Sequence, residues 1–384
     1  MTNFDIQYLK LLRRILNEGV LVENRTGVDT IKIPSYNFEF DLSKEFPILM
    51  SKQTFYKSAI IEMLWIWQMG SNNVKELQER GVHIWDEWMV DDDGIYRIYE
   101  PNTTLYEPEK TVEVLDPLSV PVYNPDGKMD VKYDENGKIM KAKSLIDGKN
   151  IKMAKYYGKE YAGTIGTAYG FITNRYKHID TLIDTLKNNP NDRRMVKSLW
   201  QNEFLRTAVL PSCVWSTEWD VTSDKLNLMV HQRSCDVPLG LPFNVTQYAT
   251  LLKMIAQVTD FEPGKISYSI KDAHVYVNQL KGVEEQLRRS DTYDKLLNEN
   301  YADLMMLRDR LDKILSLLNN DCEEYKKFES DKKIIDIILD PSSPTLELNK
   351  DIKNFFEFDN SKDLKDVKVR NYKHMGKISF PITQ

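Results

Sequence analysis

Cysteine, histidine and long apolar runs are all scarce in this 384-residue chain. Its three cysteines, Cys213, Cys235 and Cys322, lie far apart in the sequence. That pattern gives neither a disulfide framework nor the paired spacing of a zinc site, and it fits a reducing cytoplasm. Of the histidines, His83, His178, His231 and His374 show no ligand spacing, so no metal is expected. The apolar stretches are too short to span a bilayer, and the N-terminus shows no charged-then-apolar export signal. An excess of positive charge is also lacking, with 52 Lys and Arg against 58 Asp and Glu and a net charge of −6. Nucleic acid and membrane surfaces are therefore not expected partners, and any bound anion has to be held by local arginines.

What is present divides into four zones. Leu9, Leu12, Ile15 and Leu16 fall at helical spacing between Ile6 and Glu18, and Gly19 ends the pattern. Thr30–Pro34 and Tyr36–Asp41 alternate like half-buried strands. The run Ser58–Met69 is apolar on nearly every side, as a buried helix would be, yet Glu62 sits inside it. Residues 91–161 form the second zone, read as an inserted antiparallel subdomain because Tyr123–Lys128 and Tyr133–Lys138 both carry hairpin turn residues. Residues 163–279 alternate helical and strand-like segments. A fourth zone, 283–335, carries Leu297, Leu304, Leu311 and Leu318 at sevenfold spacing. It predicts a long amphipathic helix packed on the chain's own body.

Chemistry concentrates in the third zone. Leu210-Pro-Ser-Cys213 is followed by Gln232-Arg-Ser-Cys-Asp-Val-Pro-Leu-Gly-Leu-Pro-Phe-Asn244. A cysteine becomes a usable nucleophile beside a cation, and Arg233 can serve both the sulfur and a substrate phosphate. This pair of motifs closely resembles the thymidylate synthase family, which alkylates C5 of a pyrimidine nucleotide with a folate-borne one-carbon unit. Further motifs occur in the family's order. Arg25-Thr-Gly27 resembles its phosphate loop, Trp85-Asp-Glu-Trp88 its folate-facing tryptophans, and Gly166-Thr-Ala-Tyr-Gly170 its Gly-x-x-Tyr-Gly turn. Arg193-Arg194 resembles the arginine pair that reaches across a dimer, and Asp272-Ala-His-Val-Tyr276 the sugar-binding Asp-x-His-x-Tyr.

The resemblance implies an α/β fold with a large mixed sheet, helices packed on one side, and a homodimer formed sheet to sheet. Residues 1–384 would be one catalytic domain carrying the two insertions. The implied substrate is dUMP and the implied cofactor is 5,10-methylenetetrahydrofolate. Cys213 would add to C6 of the pyrimidine, splitting a hard alkylation into easier steps. Asn244 and water held by Glu62 would meet the charge growing on O4. Tyr169 would help move the C5 proton. Arg25, Arg233 and Ser234, with Arg193 and Arg194 from a second subunit, would bind phosphate, and His274 and Tyr276 the sugar. Asp236 would face the nucleotide and pterin amides, with Lys52, Trp85, Trp88 and Gly240 on the cofactor side. An asparagine amide offers a donor to O4 and an acceptor to N3–H, which favours uracil over cytosine. The bland readings fall elsewhere: Cys235 and Cys322 as small buried hydrophobes, and Trp65 and Trp67 as core.

Departures bear on the product. Val214 stands where the family usually has histidine, Lys271 where it has glycine, and Gln201 where it has asparagine; Met50-Ser-Lys52 replaces Thr-Thr-Lys. Thr26-Gly-Val-Asp-Thr30 looks more like the phage nucleotide hydroxymethylases of the same family. The segment Pro381-Ile-Thr-Gln384 is more polar than the apolar tail that shields the synthases' intermediate from water. The expectation is therefore a dUMP hydroxymethylase releasing tetrahydrofolate, with thymidylate synthase, which releases dihydrofolate, as the close alternative. An RNA-binding or inactive homologue ranks below both, since it has no need for Cys213, Glu62 and the arginines together.

Overall fold

The computed structural model describes residues 1–99, 111–116, 131–143, 145–146 and 149–383, so the hairpin expected at Tyr123–Lys128 lies outside the described residues. The chain divides into two compact units. One comprises Met1–Met63, Leu182–Lys197 and Cys213–Thr383, and the other Leu64–Thr181 and Ser198–Ser212.

The first unit is built on a mixed sheet. Its strands run in the order Val20–Val22, Thr30–Asp41, Glu262–Tyr276, Lys225–Gln232, Val214–Thr222 and Val196–Ser198, and Cys235–Asp236 pairs alongside Glu262–Tyr276. Lys225–Gln232 is parallel to Glu262–Tyr276, whereas Val214–Thr222 and Thr30–Asp41 pair antiparallel with their neighbours. The two short strands expected on either side of Ser35 are one strand. Pro34 is tolerated there because Val20–Val22 pairs only with Thr30–Lys32, which leaves the missing N–H on an edge. Alternation buries Leu226, Leu228, Val230 and Gln232 on one sheet face. The helices Asn3–Glu18 and Gly240–Val258 contact this sheet. The first of them starts two to three residues earlier than its apolar period suggests. Thr2 and Asp5 form a capping box, and the buried Asp5 carboxylate also accepts from Met50 N and Ser51 N at 2.9 Å each.

The sevenfold leucine pattern does not make one long helix. The zone 283–335 instead falls on three helices, Leu280–Leu296, Tyr301–Leu315 and Glu323–Leu339, and of the sevenfold leucines only Leu304 and Leu311 lie within one. The pattern breaks at Asn298-Glu-Asn300, where Asn300 caps the next helix by accepting from Asp303 N at 3.0 Å. Leu304 and Leu311 pack on Ile335 of the third helix, while Leu297 is left exposed at the break. A folded-back helical hairpin thus buries the stripe that a coiled coil would otherwise share with a partner.

The second unit holds a five-stranded sheet inside the expected β-rich segment, in the order Ile95–Tyr99, Lys149–Tyr156, Thr111–Leu115 and Lys141–Lys143, with Leu145–Ile146 against Lys149–Tyr156. It is not purely antiparallel, because Thr111–Leu115 runs parallel to Lys149–Tyr156. The turn after Tyr133 closes as the sequence suggests: Tyr133 bridges Ile139, and Asp134 Oδ1 accepts from Asn136 N and Lys138 N. Helix Tyr56–Trp67 carries the chain from the first unit into the second, and its residues Ala59–Trp67 are all buried, Glu62, Trp65 and Trp67 among them.

Candidate active site

A bulge places the candidate nucleophile, Cys213. The ladder between Val214–Thr222 and Lys225–Gln232 shifts register between His231 and Gln232, so that Gln232 faces Val214. Bulges bend the strand and re-aim the side chains next to them. Beyond it the Arg233 N–H donates to the Cys213 carbonyl at 2.8 Å. The Arg233 Nη2 lies 4.0 Å from Cys213 Sγ, where a guanidinium stabilises negative charge developing on sulfur.

Helix Gly240–Val258 begins inside the Gln232–Asn244 motif and carries Asn244 and Gln247, three residues apart and so on one face. Asn244 Oδ1 accepts from Gln232 Nε2 at 3.3 Å, and Asn244 Nδ2 donates to Gln247 Oε1 at 3.4 Å. Gln247 Nε2 in turn donates to Glu62 Oε2 at 2.5 Å. The lone carboxylate of the apolar helix is therefore tied to Asn244, the candidate for reading the base, through one side chain. Sequence reasoning missed Gln247, although its offset of three from Asn244 on a helix was a usable signal.

Around Asp236 a buried polar cluster forms. Asp236 Oδ1 accepts from Leu239 N at 3.1 Å and Oδ2 from Gln279 Nε2 at 2.9 Å. Burial pushes the Asp236 carboxyl up, opposed by Gln279, His274, the Leu239 N–H and Lys52. Burial likewise pushes the Lys52 ammonium down to about 7, with the charge of Asp236 opposing. Lys52 donates to the Pro238 carbonyl and stands 4.6 Å from the Phe380 ring centroid. Gln279, a second residue that sequence reasoning missed, also reaches the Pro381 carbonyl at 3.4 Å, so the C-terminal segment lies on this cluster. Phe380 packs there because residue 282 is glycine; a Cβ on it would come within 2.5 Å of the ring.

The sugar-binding candidates sit on the end of strand Glu262–Tyr276. Asp272 accepts from Lys32 at 2.7 Å and pairs with His274 Nδ1 at 3.0 Å. The hydrogen bond from His274, with that from Lys32, holds the Asp272 carboxyl near about 2. Burial, and then the charge of Asp236, raises the Tyr276 phenol, while Arg25 and a hydrogen bond with Asn24 act in the opposite sense. Arg25 is exposed on its turn, where Gly27 takes φ 81°. Ser234 and Gly240 are half-buried on either side of Asp236. Arg193 and Arg194 are exposed on the loop before Val196–Ser198, and Arg194 forms a two-point ion pair with Asp192 at 2.7 and 2.9 Å.

The second unit carries its own cluster. Trp85 lies 5.6 Å from Trp88 and 5.3 Å from Tyr169, both edge to face. Tyr169 has φ 46°, and the glycine after it is obligatory, since a Cβ on Gly170 would meet the Ser71 carbonyl oxygen at 1.7 Å. Of the two cysteines read as bland, Cys235 is buried, with burial pushing its thiol up. Cys322 is instead a helix cap that accepts from Tyr325 N at 3.3 Å. Among the described residues there is no cluster of His, Cys, Asp and Glu that could hold a metal ion, and no helix long and apolar enough to cross a membrane.

Within the first unit, a carboxylate with an amide beside it and a thiol near a guanidinium suit a nucleotide and a folate chemically; within the second, the tryptophans offer aromatic faces. Comparison with known proteins agrees. The family model described as thymidylate synthase matches residues 6–314. The thymidylate synthase of Clostridium beijerinckii is 33% identical over all of this chain and all of its own length. The thymidylate synthase of Bacillus phage phi3T is 29% identical over all of this chain and 99% of its own. The solved structure of thermostable thymidylate synthase A from Bacillus subtilis covers both chains fully with a TM-score of 0.63 and 29% identity. This chain therefore belongs to the thymidylate synthase family, transferases that use 5,10-methylenetetrahydrofolate.

Proposed function

We propose that this protein is a thymidylate synthase, converting dUMP and 5,10-methylenetetrahydrofolate to dTMP and dihydrofolate. This corrects the expectation of a hydroxymethylase. Relatives aligned over the full chain are named thymidylate synthase, a phage relative among them, which supports the methyl product. A physical reason points the same way. The polar pair Thr383-Gln384 carries the expectation of water entry; Gln384 lies outside the described residues, but Thr383 Oγ1 is buried, and the segment before it rests on Gln279 and Lys52. Placement, more than side-chain polarity, decides whether a segment excludes solvent.

The observation that carries the reading is the Cys213–Arg233 pair together with the Asn244–Gln247–Glu62 chain. Cys213 sulfur adds to C6 of the uracil, Arg233 stabilises the thiolate and the phosphate, and Asn244 donates to O4 as charge grows there. Tyr169 assists removal of the C5 proton. The folate supplies the one-carbon unit and the hydride. Arg25, Ser234, His274 and Tyr276 hold the nucleotide, Asp236 and Lys52 serve the pterin, and Trp85 and Trp88 offer it aromatic faces. The reading takes residues 1–384 as one catalytic domain with two insertions, acting in the cytoplasm. It also takes the protein as a homodimer, paired through the sheet face that bears exposed Trp215 and half-buried Met229, with Arg193 and Arg194 acting on the partner's phosphate.

Product analysis tests it. Incubation with dUMP and 5,10-methylenetetrahydrofolate should give dTMP by mass spectrometry, with one dihydrofolate, followed by its ultraviolet absorbance, per dUMP consumed. Hydroxymethyl-dUMP with no dihydrofolate would refute the methyl product.

A further inference from the structure

An asparagine by itself does not choose between uracil and cytosine. Presented one way, its N–H meets O4 and its oxygen meets N3–H of uracil. Turned over by 180°, its oxygen meets the cytosine amino group and its N–H meets cytosine N3. Selection needs something that fixes the orientation, and the amide is nearly symmetrical in shape.

Here the amide chain ends at one side on a backbone carbonyl, which can only accept, and at the other on Glu62, which does so as a carboxylate. At one end Glu62 Oε2 takes a hydrogen bond, so Gln247 has to present its Nε2 to it and its Oε1 to Asn244. Asn244 then has to present Nδ2 to Gln247. At the other end the Ser234 carbonyl accepts from Gln232 Nε2 at 2.9 Å, and the same nitrogen faces Asn244 Oδ1. The Tyr268 hydroxyl donates to Gln232 Oε1 at 2.6 Å, which secures the second glutamine in the same sense. Gln232, Gln247, Tyr268 and Glu62 are all buried, so water does not readily replace a mismatched partner. From Tyr268 through Gln232, Asn244 and Gln247, successive donors run toward Glu62. One hydrogen on Nδ2 and one lone pair on Oδ1 are left over in fixed places, and they match uracil when O4 of the ring lies on the Nδ2 side.

We propose that Gln247, backed by Gln232, is a specificity-determining positioning residue: it holds the Asn244 amide in the uracil-reading orientation by linking it to Glu62. This deepens the proposed function and rests on dUMP being the substrate. Gln247→Met keeps the volume and removes both hydrogen bonds, so that Asn244 is held only by the 3.3 Å bond from Gln232 and turns more readily. Gln247→Glu keeps an acceptor toward Asn244 and shares one proton with Glu62, which restores the orientation.

The test measures binding of dUMP, dCMP and 2-deoxyribose 5-phosphate by calorimetry in the wild type and both variants. Expected is a fall of about tenfold or more in the dUMP-to-dCMP affinity ratio for Gln247→Met, the scale of one or two lost buried hydrogen bonds. Its affinity for deoxyribose phosphate should be unchanged, since no base is read, and Gln247→Glu should recover most of the ratio. An unchanged ratio in Gln247→Met overturns the proposal. If Gln247→Met binds nothing, the ratio in Gln247→Glu decides: wild-type selectivity upholds the relay and its absence overturns it. Failure of the wild type to bind dUMP would instead overturn the proposed function.

Discussion

Replacing Asn244 with aspartate forces a conflict whose size follows from the geometry. The new oxygen would stand at the position of Nδ2, 3.4 Å from Gln247 Oε1, so two acceptors face each other. Gln247 can turn to offer its amide, but its own oxygen then meets Glu62 Oε2 across 2.5 Å. Turning therefore moves the mismatch and does not remove it. One buried polar pair stays unsatisfied at a cost of about 1–3 kcal/mol, and the empty protein should melt a few degrees lower. On the ligand side uracil O4 loses its donor, which adds a similar amount and lowers dUMP affinity by about 10–100-fold. The amino group of dCMP can donate to the new carboxylate, so dCMP should raise the melting temperature of the variant more than dUMP does. Thermal melting without ligand and calorimetric titration with each nucleotide read these quantities. A variant that melts like the wild type and still prefers dUMP would show that Asn244 neither reads the base nor sits in the relay.

Cys213→Ala should abolish turnover while dUMP still binds within a few-fold; measurable turnover by that variant would remove Cys213 as nucleophile. Mixing an Arg193→Ala, Arg194→Ala chain with a Cys213→Ala chain should restore activity through one intact hybrid site, and formed heterodimers without activity would place the arginines in their own subunit's chemistry or outside it. Asp272 has a depressed folded-state pKa, so its stabilisation is full above the ordinary carboxylate value and is lost as pH falls from about 4 through about 2. The pair is one-third exposed and screened, so Asp272→Asn should flatten acid unfolding in that window by only about 1 kcal/mol, seen in denaturant titrations at pH 5 and pH 2.5. An equal loss in both proteins would mean the pair contributes nothing.

The sequence by itself determined the parts that are local strings. The Cys213 and Arg233 motifs, Asn244, the Asp272–Tyr276 segment and the glycine turns all specify chemistry within a few residues, and a buried helix with one glutamate was legible from hydropathy alone. It misjudged features whose meaning depends on distant packing. The leucine repeat read as one helix because periodicity continues across Asn298–Asn300, and only the capping by Asn300 and the burial of Leu304 and Leu311 on Ile335 show the chain folding back. The burial of Thr383 Oγ1 was likewise not legible, because polarity is a property of the residue whereas burial is a property of its surroundings. The tertiary structure alone decided that Gln247 meets Glu62, 185 residues away. A hydrogen bond needs two groups within about 3 Å, and no pattern along the chain reports which two helices will bring them there.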